Sequence, residues 1–173
     1  MNKEYFDKID TKRKAYWLGF ILADGCVIWN KKKGNYCLSI GLQHQDKEHL
    51  SALEEELGGD REPEMNVKGT RLAWYSKYMA QSLINLGIVP RKSLVDIKPP
   101  KMGIDLLSHF WRGVFDGDGM ITEKKSTSEY RFSLAGSSSV LASFMDWYEQ
   151  FGVRKQKLVR AKNQHGITRT FKI

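Results

Sequence analysis

Two short stretches end an apolar run in an aspartate followed by glycine: YWLGFILADG (Tyr16–Gly25) and FWRGVFDGDG (Phe110–Gly119). Asp24 and Asp118 hold matching places in them, 94 residues apart (118 − 24). Within each stretch the small residues are four apart, Gly19 with Ala23 and Gly113 with Gly117. In a helix such residues share a face and let two backbones approach closely. If the two helices pack on each other, Asp24 and Asp118 emerge together at their C-terminal ends. There they repel each other and the helix dipoles. A divalent cation between them is the simplest remedy, and hard oxygen ligands suit magnesium. The plainer alternative makes Gly25 and Gly119 helix caps and leaves the aspartates solvated. Two matching motifs, each opening a strand pair, weigh against it. The stretch DGDGMITEK starts like a calcium loop, but that loop needs glycine at its sixth position, which is Ile121.

The elements that must position these acids come in a repeated order. Thr11 caps a helix over about Lys12 to Ala23, with Trp17, Phe20 and Ile21 at helical spacing. CVIWNKKKGNYCLSIGLQ reads as two strands around a polar turn at Lys31 to Asn35, with Leu38, Ile40 and Leu42 alternating toward a core. Asp46 is expected to cap a helix whose stripe is Leu50, Leu53 and Leu57, stopped by Gly58 and Gly59. A second hairpin turns near Lys68 and Gly69, and a short helix follows over about Tyr78 to Leu86. PRKSLVDIKPPKMG reads as a linker. The order then restarts with a helix over about Leu106 to Gly117 and strands near Met120–Lys124 and Glu129–Ala135, Tyr130, Phe132 and Leu134 facing one way. A helix over about Ser138 to Phe151 and a final hairpin turning near His165 and Gly166 complete it. Helix, two strands, helix, two strands thus occurs twice, as a structural duplication.

The 173 residues suit one domain, or two small halves sharing one core. Mean hydropathy is −0.48 and no long apolar run exists, so no membrane span is expected. The N-terminus is charged and lacks an apolar signal core, and Cys26 and Cys37 show no CxxC spacing. An intracellular protein without a zinc site or disulfide framework is the expectation. The net charge is +8 and is uneven: Phe151 onward carries seven Lys and Arg and no acid, whereas Asp46–Glu64 holds eight acids. A basic face attracts polyphosphate in a salt-dependent way.

On the nonamers WLGFILADG and WRGVFDGDG, the chain resembles the LAGLIDADG family of homing endonucleases. LSIGLQHQDKEHLSALEEELG, LGIVPRKS and FSLAGSSSVLASF resemble the family's flanking elements, so the resemblance covers most of the chain. It implies an α+β fold, a duplicated αββαββα unit with two saddle-shaped antiparallel sheets and the motif helices at a pseudo-twofold interface made by Gly19, Ala23, Gly113 and Gly117. The halves would be 1–96 and 106–173, joined by a linker at 97–105. It implies a monomer bound to a long asymmetric site in double-stranded DNA, encoded by a mobile intron in a bacterial, phage or organellar setting. Asp24 and Asp118 would bind two or more Mg2+ ions, helped by the carbonyls of Ala23 and Gly117, to cut both DNA strands and leave short 3′ overhangs. Lys92 resembles the family's basic residue near the scissile phosphate. Gln45 lies near the polar residue that orients water, with Gln43 and Asp46 as rival alignments. Base reading is expected from the sheet face opposite the core. In the first half this means Asn30, Lys32, Ser39, Gln43 and Arg71. In the second it means Lys124, Ser126, Arg131, Ser133, Lys157, Arg160 and Arg169. Contact with phosphate alone is the alternative for each.

Two departures qualify the resemblance. Leu22 stands where the family often has an acid, which Asp116 keeps in the second motif. The second half also stops where its last hairpin strand should be, without a closing helix or a basic counterpart of Lys92, which puts symmetric cleavage of the two DNA strands in question. Two rival readings are a catalytically inactive DNA-binding regulator, against which retention of both acids argues, and an intron maturase that binds RNA. The absence of splicing residues argues against an intein.

Overall fold

The computed structural model describes residues 1–126, 128–161 and 170–172. Helix α1 (Lys12–Asp24) starts where the Thr11 side chain accepts a hydrogen bond from the Lys14 N–H, 3.2 Å away. Strands β1 (Cys26–Asn30) and β2 (Asn35–Leu42) follow, then α2 (Lys47–Glu56), β3 (Glu64–Asn66), β4 (Gly69–Tyr75) and α3 (Lys77–Asn85). The second series is α4 (Ile104–Asp118), β5 (Gly119–Lys124), β6 (Glu129–Gly136), α5 (Ser138–Glu149), β7 (Val159–Ala161) and β8 (Thr170–Lys172). Each series builds one four-stranded antiparallel sheet, ordered β1-β2-β4-β3 and β5-β6-β8-β7.

The repeat is kept in register. Val27 pairs with Leu38 as Ile121 pairs with Phe132, so the offset between the motifs runs on through the first hairpin of each sheet. Leu38, Ile40, Leu72 and Trp74 share one face of the first sheet and are buried beneath α2 and α3. A single apolar cluster runs from there across α1 and α4 to Leu134, Leu141 and Phe144 of the second half.

Two expectations need correction. Asp46 does not cap α2 with its side chain; a 3₁₀ turn at His44–Asp46 leads into the helix instead. The supposed linker is not structureless: Arg91 adopts a left-handed conformation (φ 56°) and a 3₁₀ turn follows at Lys92–Leu94. In the second sheet Tyr130, Phe132 and Leu134 share one face of β6 as expected, but Leu134 is buried while Tyr130 and Phe132 are exposed. There Phe115 of α4 meets the Phe132 ring edge-on, with centroids 6.3 Å apart, but among the described residues no helix covers the face as α3 covers β1 and β2.

Candidate active site

The two motif helices meet backbone to backbone. A Cβ on Gly19 would lie 2.0 Å from the Phe110 carbonyl oxygen, and one on Gly113 would lie 2.0 Å from that of Tyr16. Only hydrogen fits at either position. Near the helix ends, a Cβ on Gly117 would come 2.5 Å from the Ala23 Cβ and 2.9 Å from Asp24 Oδ2. The four small residues therefore bring the Asp24 carboxylate against the end of α4. Gly25 and Gly119 are extended (φ −73° and −87°), so neither is a left-handed cap. They are glycines for space: a Cβ would strike the carbonyl oxygen of Ile21 at 2.6 Å or of Phe115 at 2.3 Å. This tight exit makes Asp24 and Asp118 the last residues of their helices.

Both acids are held above their ordinary pKa. For Asp24 the cause is desolvation, opposed by the Lys92 ammonium. For Asp118 desolvation again leads, Lys92 opposes and Asp24 adds repulsion, leaving the group at about 6. The Lys92 Nζ donates hydrogen bonds to the carbonyl oxygens of Leu22 and Ala23. Desolvation pulls its own pKa down against the attraction of Asp118 and Asp24. The segment read as a linker thus folds back and places one ammonium beside two carboxylates.

Two cavities flank this dyad. The one on the first half, about 840 Å³, is lined among others by Asp24, Gln43, Asp46, His49, Arg71 and Asp116. The other, about 380 Å³, lies between the halves and is lined among others by Asp118, Lys92, Arg91, Cys26 and Ser137. Among the described residues no cluster of three or more His, Cys, Asp or Glu side chains is arranged to hold a metal. The fit is to an ion that takes one or two carboxylates and completes its shell with water and phosphate oxygens, which is the habit of magnesium. Of the two carbonyls expected to help, that of Ala23 already accepts from Lys92.

The other expected residues are placed unevenly. Gln45 is exposed in the 3₁₀ turn and lines neither cavity, whereas Gln43 and Asp46 line the larger one. Ser39 lies on the face opposite Leu38 and Ile40, but it is buried there beneath Arg71, whose Nε donates to its hydroxyl at 2.9 Å, so it braces Arg71. Asn30 ends β1, with its amide oxygen accepting from the Lys33 N–H and its Nδ2 3.4 Å from the Tyr75 hydroxyl. Lys32 is exposed in the first turn and Ser126 in the turn after β5. Arg131 and Ser133 pair with Thr122 and Met120, on the face opposite Leu134, and Lys157 is exposed before β7. Lys124 lies in β5 and Arg160 in β7, with side chains outside the described set; Arg169 lies outside the described residues altogether.

Sequence reasoning missed one constellation. His49 Nε2 lies 3.2 Å from the Tyr16 hydroxyl, which in turn lies 2.9 Å from Asp116 Oδ2. The signal was available: His49 sits four residues before Leu53, beside the leucine stripe of α2, where an unneeded polar side chain is costly.

Duplicated helix-end carboxylates under two antiparallel sheets define a class, and comparison with solved structures gives it a name. A variant of the homing endonuclease I-DmoI, in complex with its target DNA in the presence of 2 mM Mg, matches with a TM-score of 0.61 at 18% identity, over 98% of this chain and 89% of that one. The LAGLIDADG homing endonuclease I-LtrWI bound to target DNA matches at 0.54 and 11% identity, over 99% and 79%. The N-terminal LAGLIDADG domain of DUF199/WhiA matches at 0.59 and 16% identity, over 99% and 80%. The chain carries the LAGLIDADG fold. No protein-family model and no curated protein matches the sequence.

Proposed function

We propose that the protein is a magnesium-dependent, site-specific endonuclease of the homing type acting on double-stranded DNA. The observation that carries this reading is the pair Asp24 and Asp118, the first half-buried and the second exposed at the ends of two glycine-packed helices, both raised in pKa and, among the described residues, opposed chiefly by the Lys92 ammonium. Two carboxylates brought together at helix C-terminal ends repel each other and the helix dipoles, and a cation between them relieves that repulsion. A bound divalent ion supplies Lewis acidity at the phosphodiester and lowers the pKa of water. Asp24 and Asp118 would hold that ion, with the Gly117 carbonyl as a further donor. Lys92 offsets their charge and offers its remaining N–H to a phosphate oxygen. Arg71 of β4 and Arg131 of β6, with the exposed Lys32 and Lys157 outside the strands, supply positive charge for a duplex, and the net charge of +8 favours the approach of DNA. Two unlike halves in one chain suit a monomer on an asymmetric site, cut inside the cell that carries the mobile element.

The test is incubation of the protein with a randomised duplex library in magnesium and in EDTA, followed by sequencing of the recovered ends. Breaks at one extended motif are expected with magnesium, and none in EDTA or with the Asp24→Asn/Asp118→Asn double variant. A duplex retained but never cut would instead favour a DNA-binding regulator. Retention of RNA alone would favour a maturase.

A further inference from the structure

Asp116, Tyr16 and His49 form a hydrogen-bonded chain that joins α4, α1 and α2 at the wall of the larger cavity. Its proton order follows from the donors present. A tyrosine has one hydroxyl hydrogen, and here the hydroxyl donates to the Asp116 carboxylate at 2.9 Å. Toward His49 the same oxygen can only accept, so His49 Nε2 carries hydrogen and Nδ1 keeps its lone pair. Among the described residues Nδ1 has no partner. The ring is clasped edge-on by Tyr16 and Phe20, with centroids 6.0 and 4.5 Å away, and lies 4.8 Å from that of Trp17. Arg112, its guanidinium 4.6 Å from the Tyr16 ring centroid, steadies the middle of the chain. Desolvation keeps the imidazole below its ordinary pKa, against the pull of Asp116, Asp46 and Asp24, so the ring is neutral near pH 7.

The chain is one-sided. Carried through the offset between the motifs, its three members fall on Leu22, Phe110 and Ser143, none of which can reproduce it. Leu22 and Phe110 are buried apolar residues. The cavity beside Asp118 holds Lys92 and Arg91 in its place.

We infer that His49 acts on one DNA strand alone: its Nδ1 accepts a hydrogen bond from the attacking water at the phosphodiester lying in the cavity beside Asp24, with Tyr16 and Asp116 fixing the tautomer. The assignment rests on the endonuclease reading. As the water oxygen bonds to phosphorus, its proton passes to Nδ1 and the bond from phosphorus to the leaving oxygen breaks. That oxygen takes a proton from solvent, and His49 returns its own to solvent afterwards. His49 is then the catalytic group, and Tyr16 and Asp116 are positioning residues.

The experiment uses the full chain and its recovered target duplex, with a different dye on each strand, in saturating magnesium. His49→Ala is expected to slow one strand roughly 100-fold, the order that a positioned base contributes, and to leave the other within about twofold. Free imidazole restores the slowed strand only. His49→Gln, whose amide nitrogen reaches the place of Nε2 and keeps a donor toward Tyr16 without a basic nitrogen, shows the same one-strand loss, and Tyr16→Phe a smaller loss on that strand. Duplex binding in EDTA, followed by fluorescence anisotropy, stays unchanged in all three. Equal slowing of both strands, no slowing of either, or one-strand slowing that imidazole does not relieve overturns the assignment while the endonuclease reading stands. A wild-type protein that cuts neither strand removes both.

Discussion

Leu38 in β2 and Phe132 in β6 hold the same place in two copies of one unit, yet Leu38 is 1% exposed and Phe132 is 51% exposed. Their cross-strand partners repeat the contrast, Val27 at 1% and Ile121 at 65%. The strand pattern is alike in both. The difference comes from a later element: Met79, Ala80 and Leu83 of α3 are buried over the first sheet, and among the described residues no counterpart covers the second. The motif helices behave in the opposite way. Gly19 and Gly113 make reciprocal contacts of the same length, and both helices leave through a glycine with no room for a side chain. The dyad is therefore near-symmetric while its surroundings are not. Alternation along a strand states which face is apolar, and only the rest of the chain decides whether that face becomes core.

The largest expected effect tests the symmetric part. Asp24→Asn and Asp118→Asn, taken singly, should each lower cleavage of the recovered target by more than about 100-fold, beyond the loss that removal of an outer-shell partner causes. The two losses should be alike. A variant that leaves cleavage of either strand near the wild-type rate would show that the acids do not act as a pair.

The asymmetric part is tested by stability. Leu38→Ala should cost about 2–5 kcal/mol, as truncations at fully buried sites do. Phe132→Ala should cost about 1 kcal/mol or less, because its ring is half exposed and its edge contact with Phe115 is modest. Urea unfolding of both variants gives the ratio directly. Comparable losses would mean that the face bearing Phe132 is covered in solution.

How far the sequence carried these conclusions depends on what each one rested on. The paired acids and the small-residue face were legible because they follow from helical spacing and its repetition. The first hairpin of each half was legible because its strands repeat at the offset between the motifs; the pairing register appears only in the structure. Lys92 was legible as a residue but not as a contact, since a turn through a left-handed Arg91 is not written in PRKS. Ser39 looked outward by alternation and is nonetheless buried, because Arg71 from the neighbouring strand lies over it. The chain Asp116–Tyr16–His49 spans three helices, and no local pattern joins residues 67 positions apart (116 − 49).

The smallest effect separates two forces acting on one dyad carboxylate. Desolvation raises the Asp118 pKa from 3.8 to about 6, while Lys92 pulls the other way. An acid whose folded value is raised stabilises the folded protein while protonated. That contribution is complete below the unfolded value and is lost as pH rises through about 6. Without metal, Asp118→Asn should therefore match the wild type near pH 4 and melt a few degrees higher at pH 8. Asp118 touches solvent, so the gap should stay near or below about 1 kcal/mol. Asp24→Asn should show the same sign. Magnesium should close the gap by stabilising the wild type and not the variant, since the ion binds the deprotonated pair. Melting curves at several pH values, with EDTA and with magnesium, read all of this. If Asp118→Asn instead melts lower at pH 8 in EDTA, the attraction of Lys92 outweighs desolvation, and the dyad is balanced by its own lysine rather than left short of a cation.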